Sequence, residues 1–240
     1  MYYVIINMKE EHSDLVKEHF EMKYYDYDKL IRNLIPKYEE MHNIVIDSFN
    51  LAPKEKARLL DLGIGSGETA LLVLERFPNA KIEGYDIAKN MIEQAKVRLK
   101  NHSTKVLFHN KDISKSDFIG RYDCVFSVLC IHHLNSRQKK KLFQKMFKVL
   151  KENGVFVIGD IIKFDSAEET KQKEEKWKEF LIKNLGEKEG YYWFDNYKEE
   201  DLPNSVNEQI KWLKNAGFQE VECIWEYLNY AIILARKKSP

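Results

Sequence analysis

The sequence has few of the features that mark secreted, zinc-binding or membrane-spanning proteins. It contains three cysteines, Cys124, Cys130 and Cys223, an odd number without C-x-x-C spacing. Such cysteines are typical of reduced thiols and argue against disulfides or a cysteine-based zinc site. No apolar run reaches membrane-spanning length, and the apolar stretch at the N-terminus is too short for a signal peptide. We therefore expect a cytoplasmic protein without a membrane partner.

An excess of charge of one sign is also lacking. The 39 lysines and arginines nearly balance the 38 aspartates and glutamates, which gives a net charge of +1. Bulk electrostatics therefore provide no attraction to nucleic acid or to an anionic membrane. The basic run 137–141 is interpreted as the solvated face of a helix. With 44% hydrophobic residues among 240, the chain can bury a substantial core.

A glycine-rich turn is the most informative feature that the sequence does contain. An apolar run from residue 59 ends in the alternating glycines Gly63, Gly65 and Gly67, and a predicted helix follows from Glu68. Glycines let the backbone turn sharply and approach a ligand closely. Asp86 ends the next predicted strand, where a carboxylate suits ribose hydroxyls. The two segments predict a site for an adenosine-bearing cofactor.

The spacing of the glycines disfavours NAD and ATP. A dinucleotide fingerprint needs a small residue where Glu68 stands, and no Lys-Ser/Thr pair follows to form a phosphate-binding loop. A glutamate at the start of the helix would also repel a pyrophosphate, which normally sits at that positive end of the helix dipole. The pattern therefore favours a cofactor without phosphates.

Strands and helices alternate from about residue 58 onward. Helices are predicted at 68–77, 89–100, 136–150, 167–185 and 206–216. Strands are predicted at 58–63, 81–86, 105–109, 122–128, 155–162, 218–225 and 227–235. The alternation predicts an α/β fold with a doubly wound, Rossmann-like, mostly parallel seven-stranded sheet that ends in an antiparallel hairpin. Such a sheet binds its ligand at the carboxyl ends of the strands.

The segments at the predicted strand ends resemble successive motifs of the class I S-adenosylmethionine-dependent methyltransferases. The stretch from Asp61 to Gly67 has the D-x-G-x-G-x-G form of their first motif. The N-terminal segment that contains His19, Tyr27 and Arg32 resembles the entry helix of one subgroup, which includes tRNA uridine-5-oxyacetate methyltransferase relatives and small-molecule enzymes. The resemblance implies an N-terminal helical cap over 1–50 and a cofactor-binding methyltransferase core over 51–240, with a helical lid insertion at 163–205.

The resemblance also implies which residues hold S-adenosylmethionine and release its product, S-adenosylhomocysteine. The glycine turn would pass the methionine portion, Asp86 would hold the ribose and Ile87 would pack on adenine. A guanidinium at Arg32 would suit the methionine carboxylate. As alternatives, Asp86 can be a helix N-cap, Asp112 can serve as a cap or in a turn, and Arg32 can be a solvated helix residue. The full set of expected cofactor residues is Tyr27, Arg32, Asp61, Gly63, Gly65, Gly67, Asp86, Ile87, Met91, Asp112, Ile113, Val128 and His133.

His132 is the candidate catalytic residue. It follows the fourth strand, where the methyl group should emerge, and imidazole titrates near neutrality. Its role would be that of a general base if the acceptor is a protonated oxygen, or that of an orienting donor if the acceptor is a carboxylate. A purely structural histidine is the alternative reading. Since in-line methyl transfer depends chiefly on proximity, the rest of the site needs only to hold donor and acceptor in line.

The acceptor site is expected in the insertion and the N-terminal segment. The aromatic run 191–194 is predicted on a loop, where it would line the acceptor pocket or pack the insertion onto the core. The expected substrate contacts are Tyr24, His132, Trp193 and Tyr197. Lys198 is the only cation near this run, which favours ordinary S-adenosylmethionine over a carboxylated cofactor. No metal-spaced His/Cys set is present, so no metal ligands are expected.

Three functions are compatible with these observations. The leading hypothesis is a methyltransferase that acts on an oxygen of a small molecule or peptide, as a monomer or homodimer. A tRNA-modifying methyltransferase is the second. It predicts a basic surface beside the pocket, and the near-neutral composition gives no sign of such a surface for a nucleic-acid partner. A non-catalytic S-adenosylmethionine-binding regulatory protein is the third, and it would have a blocked acceptor pocket.

Overall fold

The computed structural model describes residue 17 and residues 27–239. The side chains of Tyr27 and Asp28 are not described, and Tyr24 lies outside the described residues. From residue 27 onward the chain contains eight α-helices and seven strands. The helices are α1 (Tyr27–Leu34), α2 (Tyr38–Asp47), α3 (Glu68–Arg76), α4 (Lys89–Arg98), α5 (Ser136–Val149), α6 (Ala167–Leu185), α7 (Glu187–Glu200) and α8 (Val206–Ala216).

The strands form one sheet in the order β3-β2-β1-β4-β5-β7-β6. They are β1 (Arg58–Leu62), β2 (Lys81–Asp86), β3 (Val106–Asn110), β4 (Tyr122–Val128), β5 (Leu150–Ile161), β6 (Glu220–Tyr227) and β7 (Tyr230–Arg236). Strands β1 to β5 pair in parallel, and β7 pairs antiparallel with both β5 and β6. The predicted α/β fold and mostly parallel seven-stranded sheet are therefore confirmed.

Both faces of the sheet are covered, because neighbouring residues of one strand belong to different hydrophobic clusters. Leu59 packs in a cluster that includes Val45 of α2 and Val73 of α3. Leu60 packs in a second cluster, with Phe143 of α5 and Leu213 of α8. Since successive side chains of a strand point to opposite faces, each face needs its own layer of helices.

The insertion between β5 and α8 consists of the helix pair α6 and α7, which packs against the N-terminal helices. Trp177 of α6 is 3% exposed, and its indole Nε1 donates to the Leu34 carbonyl at 2.9 Å. The ring of Tyr197 on α7 stands edge-on to this indole at 5.0 Å. The proposed division into a cap over 1–50 and a core over 51–240 stays a prediction.

Three local predictions were wrong. The aromatic run 191–194 lies in α7 and not on a loop. The sequence of this segment has no helical periodicity, and packing against α6 stabilises the helix. The apolar pattern of the helix at 89–100 also predicts Val97 on its inner face, but Val97 is 72% exposed. Lys139, which was assigned to a solvated face, is 1% exposed and its Nζ donates to the Leu202 carbonyl at 2.6 Å and to Asn204 Oδ1 at 2.8 Å.

None of the helices formed by residue 17 and residues 27–239 has the length and apolar character that a transmembrane span requires.

Candidate active site

The turn between β1 and α3 is formed by three glycines with positive φ. The angles are 86° at Gly63, 53° at Gly65 and 82° at Gly67. A Cβ on Gly63 would lie 2.3 Å from Cys130 Sγ, whereas a Cβ on Gly65 would have no atom of the described residues within 4 Å. At Gly65 the backbone therefore faces open space, where a ligand can approach it.

Asp86, at the end of β2, holds this turn in place. Its Oδ2 accepts a hydrogen bond from Gly65 N at 2.8 Å, and its Oδ1 accepts one from Ala88 N at 2.9 Å. Burial raises the pKa of Asp86, although the backbone N–H groups of Ala88, Gly65 and Ile87 lower it. Because each carboxylate oxygen accepts more than one hydrogen bond, the turn and a ligand can share this side chain.

A cavity, called the first cavity here, opens at the carboxyl ends of β1, β2 and β4. The winding of the sheet reverses between β1 and β4, which is where doubly wound folds bind ligands. Most of the predicted cofactor residues line this cavity, namely Gly63, Gly65, Asp86, Ile87, Met91, Asp112, Ile113, Val128 and His133.

The remaining predicted cofactor residues lie elsewhere. The side chain of Tyr27 is outside the described residues. Gly67 is the N-cap of α3, where it packs closely against Ala95 of α4. Asp61 is 2% exposed within β1, and burial, followed by the charge of Asp86, raises its pKa well above the ordinary value. These two residues support the turn from behind and do not line the first cavity.

Arg32 lies at the edge of the first cavity, in contact with two acidic side chains. Its Nη2 pairs with Glu68, and its Nε donates to Glu39 Oε1 at 3.0 Å. Glu68 lines the cavity and also accepts a hydrogen bond from Tyr38 Oη at 3.0 Å. A guanidinium and a carboxylate side by side complement the carboxylate and ammonium groups of an amino acid.

Asp112 supplies an independent test of whether the first cavity fits adenosine. Its Oδ1 accepts from Ser114 N at 2.8 Å, as expected for a turn. Its Oδ2 is buried and has no hydrogen-bond partner among the described residues, with Lys115 Nζ 3.7 Å away. A buried carboxylate oxygen without a donor is costly, so this wall fits a ligand N–H such as the amino group of adenine.

A second cavity adjoins the first, and the two share Ile31, Leu129 and His133. It contains the predicted substrate residues His132, Trp193 and Tyr197. Its walls are mostly apolar or aromatic, and among the described residues that line it there is no lysine or arginine. Lys198, the cation considered from sequence, pairs with Glu174 Oε2 at 2.8 Å.

His132 is held rigidly by Asp160 at the end of β5. The ring Nδ1 pairs with Asp160 Oδ1, and the backbone N–H of His132 donates to Asp160 Oδ2 at 2.8 Å. The ring is 5% exposed and its Nε2 lies on the side of Asp201, 3.6 Å from Oδ1. Nδ1 is the protonated nitrogen in the neutral tautomer because it faces a carboxylate, which leaves the lone pair on Nε2.

Asp201 brings the two histidines together. Its Oδ1 lies 3.2 Å from His133 Nδ1, and the carboxylate stands at the C-cap of α7. Burial lowers the pKa of His132, but the charges of Asp160 and Asp201 outweigh it and raise that pKa above its ordinary value. Burial, followed by the neighbouring His132, lowers the pKa of His133. The two carboxylates therefore favour positive charge at the His132 side.

Sequence reasoning missed several residues of the two cavities. Asp160 and Asp201 were not identified, because only the fold brings them to His132 from positions 28 and 69 residues further along the chain. Tyr38 and His42 of α2 line the first cavity without a sequence signal that marks them. Only Asp160 has a sequence signal: it is an acidic residue at the end of a predicted strand, as Asp86 is.

Comparison with known proteins agrees with this geometry. Residues 59–154 match the family model described as a methyltransferase domain. The chain is 27% identical over 217 residues to the carboxy-S-adenosyl-L-methionine synthase of Campylobacter hominis, with 88% of this chain and 90% of that protein covered.

Solved structures show the same fold. The YcgJ protein from Bacillus subtilis matches with a TM-score of 0.63 and 15% identity, over 85% of this chain and 100% of that one. Human N-acetylserotonin methyltransferase, solved in complex with S-adenosylmethionine, matches with a TM-score of 0.57 and 19% identity, over 82% of this chain and 52% of that one. The chain spans about half the length of that enzyme and of several other solved methyltransferases it matches.

The fold, the domain match and the glycine turn define the class of this protein. It carries a methyltransferase domain over residues 59–154, on a fold that it shares with solved S-adenosylmethionine-dependent methyltransferases.

Proposed function

We propose that this protein transfers a methyl group to an oxygen of a small molecule or peptide bound in the second cavity. The observation that carries the proposal is that the first and second cavities share the wall formed by Ile31, Leu129 and His133. A donor in the first cavity and an acceptor in the second then lie within reach of each other. Bound in the first cavity, S-adenosylmethionine supplies an activated methyl group on a sulfonium.

The residues of the first cavity divide the cofactor between them in this proposal. Gly65 allows close backbone approach, and Asp86 accepts hydrogen bonds from the ribose. Asp112 Oδ2 accepts from the adenine amino group, which removes an unsatisfied buried oxygen. Arg32 and Glu68 meet the carboxylate and ammonium groups of the methionine portion. When the cofactor binds, the Arg32–Glu68 pair would be replaced by two new pairs. Arg32 would contact the carboxylate of the methionine portion, and Glu68 would contact its ammonium group.

His132 is the proposed catalytic residue, since it lines the second cavity next to the shared wall. Asp160 fixes the ring through both the side chain and the backbone of His132. The fixed ring presents Nε2, together with Asp201, to an acceptor oxygen. The aromatic residues Trp193 and Tyr197 would then hold the body of the acceptor and exclude water.

The test is a label-transfer assay with S-adenosylmethionine that carries a radioactive methyl group. We expect label in a hydroxylated or carboxylated metabolite, or in a peptide, when pools of each are supplied. A His132→Ala variant should bind S-adenosylmethionine with unchanged affinity and lose at least 100-fold in turnover. Label found only in tRNA would instead support the tRNA-modifying alternative, and full turnover by the variant would remove His132 from catalysis.

Formation of a carboxylated cofactor is a second candidate function. The curated relatives named carboxy-S-adenosyl-L-methionine synthase cover 88% of this chain and 90% of their own length. The second cavity gives it no specific support, because no lysine or arginine among its described lining residues would mark a site for the added carboxylate, and Lys198 is paired with Glu174. Mass spectrometry of S-adenosylmethionine after incubation with the protein and a metabolite extract distinguishes the two: a carboxylated cofactor without a methylated product would replace the leading proposal.

A further inference from the structure

We propose that His132, His133 and Asp201 bind a divalent transition-metal ion at the boundary between the two cavities. Each residue offers one ligand atom, and these atoms all lie within 4.8 Å of one another. Since His132 Nδ1 is paired with Asp160, the ligand atoms would be His132 Nε2, His133 Nδ1 and Asp201 Oδ1. This inference deepens the proposed function and rests on it only for the role of the ion, whereas the binding itself can be measured without turnover.

The distances between the ligand atoms fit one shared ion. Asp201 Oδ1 lies 3.2 Å from His133 Nδ1 and 3.6 Å from His132 Nε2. Ligands about 2.1 Å from a zinc ion at tetrahedral angles lie roughly 3.4 Å apart. The same atoms can therefore reach one ion after only small side-chain adjustments.

The hydrogen-bond partners of His132 match those of a metal ligand. Histidines that bind metals commonly donate their other ring N–H to a carboxylate, which fixes the tautomer and raises the basicity of the ligating nitrogen. Asp160 performs this task on Nδ1 and also accepts the backbone N–H of His132. The lone pair of Nε2 then faces a carboxylate oxygen of Asp201, an arrangement that either a proton or a shared metal ion stabilises.

The composition of the cluster selects the kind of ion. Two imidazoles with one carboxylate suit zinc, iron, cobalt or nickel, whereas magnesium and calcium require mostly oxygen ligands. Three protein ligands leave open coordination positions, as catalytic sites do. All three residues line the second cavity, so an open position there can take an oxygen of the acceptor. The ion would then hold the acceptor hydroxyl in place of a direct contact with His132 Nε2, and it would lower the pKa of that hydroxyl so that the proton could pass to water.

The fold explains why this site is absent from the sequence pattern. His132 and His133 belong to a 3₁₀ turn, Ile131–His133, which follows β4. Asp201 ends α7, and the next residue, Leu202, donates its backbone N–H to the His132 carbonyl at 3.0 Å. This backbone contact fixes the C-terminal end of the insertion against the histidine pair, so the ligands are positioned before any ion binds.

The test is metal binding by the full-length protein after chelator treatment and dialysis. We expect one equivalent of Co²⁺ or Zn²⁺ by calorimetry and elemental analysis, with a Co²⁺ absorption band in the visible region, and no competition from Mg²⁺. Asp201→Asn should weaken Co²⁺ binding at least tenfold, and Asp160→Asn should weaken it about 10- to 100-fold. Asp195→Asn, an exposed carboxylate on the same helix, should leave it unchanged.

Unchanged S-adenosylmethionine affinity in each variant would show that the fold is retained. Wild-type protein that binds Co²⁺ no more tightly than Asp201→Asn would overturn the metal site and leave a protonated His132 between its two aspartates. The outcome is separate from that of the proposed function. If methyl transfer persists in chelator-treated protein, the ion has no role in catalysis and the proposed function stands. If the protein binds metal but forms no methylated product, the metal site stands and the proposed function fails.

Discussion

At the scale of single residues, Gly63 and Gly65 have the same kind of backbone conformation but different surroundings. Both have positive φ, which costs a non-glycine residue about 1–2 kcal/mol. Only at Gly63 would a Cβ also collide with the protein, at 2.3 Å from Cys130 Sγ. Glycine is therefore needed at Gly63 to avoid a collision within the protein. At Gly65 we expect it to be needed to leave room for the ligand.

A pair of alanine substitutions separates these two requirements. Gly63→Ala should lower the free energy of unfolding by about 2–4 kcal/mol, because overpacking adds to the backbone strain. Gly65→Ala should lower it by only about 1–2 kcal/mol and reduce S-adenosylmethionine affinity at least tenfold, because its methyl group enters the first cavity. Urea unfolding and calorimetry measure the two quantities. Normal cofactor affinity in Gly65→Ala would show that the cofactor does not approach this glycine.

Arg32 offers a second test at this scale. Its pairs with Glu68 and Glu39 are partly exposed, so Arg32→Ala should change stability by less than about 1 kcal/mol. If the guanidinium holds the methionine carboxylate, the same variant should bind S-adenosylmethionine at least tenfold more weakly by calorimetry. Arg76→Ala is the matched control, since Arg76 pairs with Asp47 on the surface and does not line the first cavity. Equal affinities of the two variants for S-adenosylmethionine would show that Arg32 does not contact the cofactor.

At the scale of elements, the helix pair α6 and α7 depends on one buried tryptophan. Trp177 contacts the rings of Phe194, Tyr197 and Tyr230 and donates to the Leu34 carbonyl at the end of α1. One side chain thus joins the insertion, the N-terminal helices and the sheet. Apolar contact and a satisfied indole N–H both contribute to this junction.

Trp177→Ala should therefore lower the free energy of unfolding by about 3–5 kcal/mol, as expected for a large aromatic residue removed from a core. Limited proteolysis should then cut within 163–205 at protease concentrations that leave the wild type intact. Tyr191→Ala on α7, where the side chain is 45% exposed, should stay within about 0.5 kcal/mol of the wild type. Similar losses in both variants would show that the insertion is not anchored by Trp177.

The sequence predicted the regular elements well where their signals are local. All seven strands and the helix at 167–185 follow from apolar periodicity and from turn residues, which act over a few positions. The helix α7 was missed because consecutive aromatic residues and Gly190 give no helical periodicity. Lys139 was misplaced because its partners, the Leu202 carbonyl and Asn204, lie more than sixty residues away.

At the scale of the whole molecule, the stability of the fold should depend on pH through His42. This histidine of α2 is 2% exposed, and its ring Nδ1 donates to the Tyr38 carbonyl at 2.9 Å. Burial lowers the pKa of His42 to about 4, although the hydrogen bond to Tyr38 opposes the shift. The folded protein therefore keeps His42 neutral at pH values where the unfolded chain protonates it.

The sign of the effect follows from proton uptake. Below the ordinary histidine pKa of about 6.5 the unfolded state binds one more proton at this residue, so the contribution of His42 to stability should fall as the pH drops from about 6.5 to about 4. The loss should reach roughly 3 kcal/mol at pH 4. Urea unfolding across this range measures it. His42→Gln should flatten the slope, whereas His102→Gln, a part-exposed histidine outside both cavities, should not.

The position of the candidate site could be predicted from the fold, but its full content could not. Parallel strands that end at one edge predict where Gly65, Asp86 and Asp112 converge, because the topology alone decides it. The partners of His132 could not be predicted in this way, because they are brought to it only by the tertiary structure. Asp160 reaches it through the neighbouring strand β5, and Asp201 reaches it through an insertion whose conformation the strands do not determine.

Leu129 has a left-handed backbone, with φ of 52°, and its side chain lines both cavities. Its N–H donates to the Gly159 carbonyl at 2.9 Å, which fixes the residue against β5. A leucine costs about 1–2 kcal/mol in this conformation, where glycine or asparagine would cost less. Leu129 is therefore the strained member of the three-residue wall that the two cavities share. Leu129→Gly should relieve this strain but lose apolar packing and add unfolded-chain entropy, so thermal unfolding should show little net change. By opening the wall between the cavities to water, it should lower turnover in the label-transfer assay.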